Sequence, residues 1–136
     1  MKKFTNSAFI YIILGLCSGV FYREFTKIFE FESRTALSYM HVHYISLGTL
    51  FFLVLLLLEK SFAFSGKNTG KVLIIYHIGF NIMQAFFLVH GLTQVLRMEL
   101  SSMVDSAISG FAGIGHIMMG ISLVILMNQV RKSIES

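Results

Sequence analysis

His41-Val42-His43 is the arrangement in this chain best suited to chemistry. It lies within Thr35–Leu58, a run of 24 residues without a formal charge. Ionisable side chains at bilayer depth are costly and mark functional positions by default. Neutral imidazole is a common metal ligand, so the pair reads as part of a metal centre, haem iron foremost. The plainer reading is two buried histidines hydrogen-bonded between helices.

The rest of the chain supplies the elements that hold this pair. Of 136 residues, 55% are hydrophobic and 13% charged, with mean hydropathy +0.74. Soluble domains carry about 25% charged residues, so the composition is that of one integral membrane domain. Charge-free windows at 4–22, 35–58, 72–96 and 106–130 are each long enough to cross a hydrocarbon core as a helix. The first, behind Lys2 and Lys3, reads as a transmembrane helix in preference to a secretory signal, because no small-x-small cleavage site follows cleanly. Its Gly15 and Gly19 form a G-x-x-x-G that permits close helix approach. Arg23 to Arg34 is a mixed-charge loop, part of which extends the first helix, and Thr35 or Ser33 caps the second. Short loops make sequential helices antiparallel neighbours. The expected fold is therefore an all-α, four-helix membrane bundle comprising residues 1–136.

Lys and Arg number seven in the two termini and the middle loop, against four in the first and third loops. This favours both termini in the cytoplasm; the bacterial cytoplasmic membrane is the location that the family resemblance given below implies. The net charge of +4 bears on that topology, and no basic-aromatic stripe points to nucleic acid. The single cysteine, Cys17, excludes an intrachain disulfide and a cysteine-based structural zinc site; it reads as a small buried hydrophobe.

This topology sets His41 and His43 on the order of 10–13 Å below the outer end of the second span. His90 and His116 also fall in the outer half, and His77 alone lies near the inner side. Residues i and i+2 on a helix point about 200° apart. His41 and His43 therefore serve two separate sites, or one site shared between copies of the chain. By depth, His43 matches His116, His41 roughly matches His90, and His41 of one copy matches His43 of another. Ala112, Gly113 and Gly120 share the face of His116, and Gly48 shares that of His41. Such small residues leave room for a flat macrocycle, or serve tight helix packing.

Ser18-Gly19-Val20-Phe21-Tyr22-Arg23-Glu24-Phe25 and Arg34-Thr35-Ala36-Leu37, followed by His41-Val42-His43 and Gly48, resemble a family of small uncharacterised bacterial four-helix membrane proteins. More distantly, the chain resembles one four-helix repeat of the haem–copper oxidase catalytic subunit, and membrane proteins of the nitric-oxide response that carry His-x-His helices. In the oxidase, three such units form a pseudo-threefold ring, and one second helix carries a His-x-His whose imidazoles serve two haems. The resemblance implies haem ligation by His41 and His43, a homotrimer, and pairing of Arg34 and Arg97 with haem propionates. Each arginine reads equally as an interfacial snorkelling residue. The oxidase's copper cluster and His–Tyr cross-link are not matched, so oxygen reduction is not implied.

The expectation is a b-type haem protein with bis-histidine ligation drawn from His41, His43, His90 and His116. Its role would be electron transfer or haem and gas handling, with a respiratory-chain partner. The alternatives are a copper or zinc protein without haem, and a cofactor-free assembly or scaffold protein of a respiratory complex. Met83, Met98, Met103, Met118 and Met119 are thioethers for copper(I) in the first alternative and gap fillers otherwise. His77, Asn81 and Gln84 form a polar stripe that lines a hydrated path or bonds helices together. No nucleophile–base pair for hydrolysis is visible, and no inverted repeat points to a transporter.

Overall fold

A computed structural model describes residues 1–135. Four helices long and apolar enough to cross a membrane run Lys2–Ile28 (α1), Leu37–Phe62 (α2), Thr69–Val95 (α3) and Ser102–Glu135 (α4). α1 and α4 contain their expected windows, whereas α2 starts after Thr35 and Ala36 and α3 stops before Leu96; elsewhere the helices overrun the windows, because helical hydrogen bonds continue into charged flanks. Thus α1 carries Arg23, Glu24 and Lys27 before it stops, and α4 carries Arg131 and Lys132.

Three helices end on a residue in the left-handed region: Glu30, Ala63 and Arg97, with φ of 48°, 48° and 53°. After α1, Phe31 N–H reaches back to Thr26 O; after α3, Met98 N–H reaches Thr93 O, both at 2.9 Å. These six-to-one bonds satisfy carbonyls that the last turn leaves open. The start of α2 is capped from outside its own segment. Gln94 Oε1 on α3 accepts the Ala36 N–H at 2.8 Å, while Thr35 donates to Gly91 O at 3.1 Å and accepts weakly from Leu37 N–H at 3.4 Å.

Small residues set the packing. Gly15 and Gly19 of α1 lie against Ile45, Tyr44 and His41 of α2, as the G-x-x-x-G reading expects. Between α3 and α4 the backbones nearly touch: a Cβ at Gly79 would stand 2.8 Å from Gly115 O, and one at Gly115 would stand 2.6 Å from Gly79 O. Around these crossings lie the fully buried Phe4, Leu37, Phe52, Leu55, Tyr76, Phe80, Met83 and Leu126.

Directly after His43, α2 adopts a π-helical segment over Tyr44–Leu50. Backbone groups displaced from the ordinary ladder need partners inside a bilayer. Tyr76 Oη donates to Leu47 O at 2.6 Å, Ser46 Oγ to Val42 O at 2.6 Å, and Thr49 Oγ1 to Tyr44 O at 3.3 Å. Gly48 still faces α1, as His41 does. Its vacant side is filled by Tyr11, whose Cβ would stand 2.6 Å from a Cβ placed there. The expectation that Gly48 leaves macrocycle space is corrected accordingly.

Candidate functional site: paired histidines between α2 and α4

Residues 41–43 are still α-helical, so the two imidazoles leave α2 on opposite sides. His41 points to α1, half-buried. Its ring lies nearly parallel to that of Tyr22, at 11° and 6.4 Å between centroids, and a Cβ at Gly19 would stand 3.5 Å from its Cβ. His41 Nδ1 is buried and has no hydrogen-bond partner among the described residues.

His43 points the other way and meets His116 of α4. Their ring centroids are 6.4 Å apart with planes at 89°. Phe87 of α3 adjoins both, at 5.3 Å from His43 and 5.9 Å from His116. Each imidazole is oriented the same way by its own helix. His43 Nδ1 lies 2.8 Å from Tyr39 O, and His116 Nδ1 lies 3.0 Å from Ala112 O. A carbonyl only accepts, so each Nδ1 carries a proton and donates. The neutral ring then holds its lone pair on Nε2, which makes no hydrogen bond among the described residues in either case. A backbone-anchored N–H with a bare second nitrogen is the arrangement that prepares histidine for a metal. Of the depth matches expected from sequence, the structure brings together His43 and His116. His41 and His90 make no contact.

Beside His116 opens a cleft of about 280 Å³ lined by Phe86, Phe87, His90, Ile108, Ala112 and Gly113, among others. A Cβ added at Gly113 or Gly120 would meet nothing within 4 Å. The small residues on this face thus leave open space, unlike Gly48. His90 also lines two adjoining clefts. One of about 230 Å³ contains Arg34, Tyr39 and Gln94; one of about 300 Å³ contains Met98, Ser102 and Asp105. His90 Nε2 is 3.4 Å from Asp105 Oδ1 and 3.3 Å from Gln94 Nε2. Arg34 is therefore at the mouth of the site. Arg97, exposed at the left-handed end of α3, lines none of the three clefts. Met83 and Met119 are buried core residues, and Met98 and Met103 are exposed. Among the described residues no group of three or more His, Cys, Asp or Glu side chains converges to hold a metal ion.

The polar stripe of His77, Asn81 and Gln84 on α3 divides. Asn81 Nδ2 donates to Tyr11 Oη at 3.2 Å, Tyr11 Oη lies 2.6 Å from His77 Nδ1, and Ser7 Oγ lies 3.3 Å from His77 Nε2. Because Tyr11 accepts from Asn81, its own proton goes to His77 Nδ1, and Nε2–H donates to Ser7. This chain ties α1 to α3, with Phe52 stacked on His77 at 4.9 Å and 6°. Gln84 is separate: it is fully buried, donates to Met40 O at 3.1 Å, and leaves its Oε1 unpartnered. Cys17 is exposed on the surface of α1, which corrects its reading as buried.

A family model matches residues 1–133, nearly the whole chain. The chain belongs to that family, described as Protein of unknown function (DUF2871). For this DUF2871 member, no curated protein matched and no solved structure matched. The likeness to a haem–copper oxidase unit thus gains nothing from these comparisons and rests on the His-x-His motif and topology. Sequence reading of this DUF2871 chain missed the π segment, the Asp105 contact to His90, and the central place of Phe87. The cluster Ser46-Leu47-Gly48-Thr49 inside an apolar span was the available signal for the first.

Proposed function

We propose that this chain is a multi-pass membrane protein that binds b-type haem between α2 and α4, where His43 and His116 would hold it. One observation carries the reading: two imidazoles on different helices, each with Nδ1 held by a carbonyl and Nε2 bare, 6.4 Å apart. Two collinear imidazoles on one metal have centroids roughly 6.2–6.4 Å apart, from metal–nitrogen bonds of about 2.0–2.1 Å and about 1.1 Å from nitrogen to ring centre. Perpendicular ring planes can share such an axis. A two-histidine site favours haem over zinc, because a porphyrin brings four nitrogens of its own, whereas zinc needs three or four protein ligands.

Haem iron supplies one-electron chemistry or binding of small gases. The chain's own residues hold the axial nitrogens, exclude water with Phe86, Phe87 and Ile108, and offer Arg34 at the mouth for a carboxylate. His116 is exposed along α4 beside Phe111, Ile114 and Ile117. A second copy of the chain covers that face, a trimer being the arrangement the oxidase analogy suggests. His41, with its unpartnered nitrogen on the α1 side, belongs to a second position and not to this pair. The excess of Lys and Arg in the termini and middle loop supports both termini inside, with the histidine pair in the outer half of the membrane, a bacterial cytoplasmic one by the family resemblance.

The test is the absorption spectrum of protein purified in mild detergent from cells fed a haem precursor, oxidised and then dithionite-reduced. A Soret band with sharp reduced α and β bands is expected. Absence of a Soret band, even after haem titration, overturns the reading and leaves copper or a cofactor-free scaffold.

A further inference from the structure

Asn81 interrupts an apolar outer face of α3. Ile74, Ile78, Asn81 and Ala85 are all exposed, and their spacing of four, three and four residues sets them on one side of the helix. Asn81 stands 12 residues (81 − 69) after the first residue of α3 and 14 (95 − 81) before the last. At about 1.5 Å per residue that is about 18 Å from one end and about 21 Å from the other. A polar group facing hydrocarbon at the middle of a span is costly unless it is hydrogen-bonded. The amide is only half satisfied. Its Nδ2 donates to His77 O at 2.8 Å and to Tyr11 Oη at 3.2 Å, which fixes its orientation. Its Oδ1 accepts no hydrogen bond among the described residues.

We propose that this face of α3 packs against the same face of a second copy of the chain, with the two Asn81 amides bonded to each other. Copies inserted with one topology are parallel, so a symmetry axis along the membrane normal brings each Asn81 to its counterpart at equal depth. A side-chain amide carries both donors and an acceptor, and is therefore its own complement at that depth. A lipid chain offers Oδ1 no donor. The bond to His77 O is the one free to change partner, because that carbonyl already accepts the Asn81 main-chain N–H in the helical ladder. Turned outward, that N–H reaches Oδ1 of the neighbouring copy while the bond to Tyr11 is kept. Ala85, one turn on, is small enough for the helices to approach closely. The face is separate from that of His116 on α4, and the interface does not depend on haem.

Two measurements on the full-length chain in lipid vesicles test this. In a Cys17→Ser background, Ile78→Cys and Ala85→Cys should form cross-linked dimers on mild oxidation, and Leu57→Cys, exposed on α2, should not. Energy transfer between donor- and acceptor-labelled chains should show association weakened at least about threefold in Asn81→Leu and restored towards wild type in Asn81→Gln. Failure of both Ile78→Cys and Ala85→Cys to cross-link overturns the interface, and this result needs no change at Asn81. Equal cross-linking at Leu57 also overturns it, as random collision. Asn81→Leu that folds, by circular dichroism, and associates as tightly as wild type overturns the amide pairing.

Discussion

Gly115→Ala tests the contact that places α4 against α3. The new Cβ would stand 2.6 Å from Gly79 O and 2.8 Å from Met83 N, whereas ordinary contact begins near 3.4 Å. The shortfall of 0.8 Å (3.4 − 2.6) falls on backbone atoms, so no side-chain rotation relieves it. The two helices must separate locally. Overpacking of this kind costs about 1–3 kcal/mol, and helix propensity returns up to about 1 kcal/mol for Gly→Ala. A net loss of roughly 1–2 kcal/mol follows. Gly120→Ala is the internal control on the same helix: its Cβ meets nothing within 4 Å. It should be neutral or gain up to about 1 kcal/mol. Reversible unfolding in mixed micelles with increasing SDS, followed by circular dichroism, reads both. Equal stability of the two variants would refute the close crossing. The separation also moves His116, the next residue, so Gly115→Ala should retain less haem than Gly120→Ala.

Other expectations concern the remaining contacts. Tyr11→Phe removes the donor to His77 Nδ1 and the acceptor for Asn81, although Asn81 keeps its bond to His77 O. At about 0.6 kcal/mol per membrane hydrogen bond, with a maximum near 1.7, the loss is roughly 1–2 kcal/mol. A double-mutant cycle with His77→Ala should show coupling, and additivity would remove the clamp. Gly48→Ala sets a Cβ 2.6 Å from Tyr11 Cβ and should reduce the yield of folded protein far more than Gly66→Ala, whose site is open. Equal yields by size-exclusion chromatography would contradict the packing of Tyr11 against the π segment.

The bundle was legible because four charge-free windows can do little but span a membrane, and all but Thr35, Ala36 and Leu96 of those windows lies within a helix. Helix ends were less legible: Arg23, Glu24 and Lys27 carry no apolar signal, yet their backbones continue α1. The 200° separation of His41 and His43 followed from helix geometry alone, and His43 meeting His116 was one of several pairings that depth allowed. What chose between them was lateral packing, set by Gly79 against Gly115 and by Phe87. No single residue in the sequence announces those contacts. Gly48 shares the α1 face with His41 as its spacing indicates, but the sequence does not show that Tyr11 of α1 fills the space beside it. The Asp105 contact escaped notice because the residue stands outside its charge-free window, although its helix begins earlier, at Ser102.

The most direct test of the central claim is the dithionite-reduced absorption spectrum of the purified protein in His43→Ala, His116→Ala and His41→Ala. In the proposed site His43 and His116 would both hold the haem, so both variants should lose the six-coordinate reduced α band. His41→Ala should retain it, because that imidazole faces α1. Loss of the band in His41→Ala with retention in His116→Ala would contradict the assignment of the site to the space between α2 and α4.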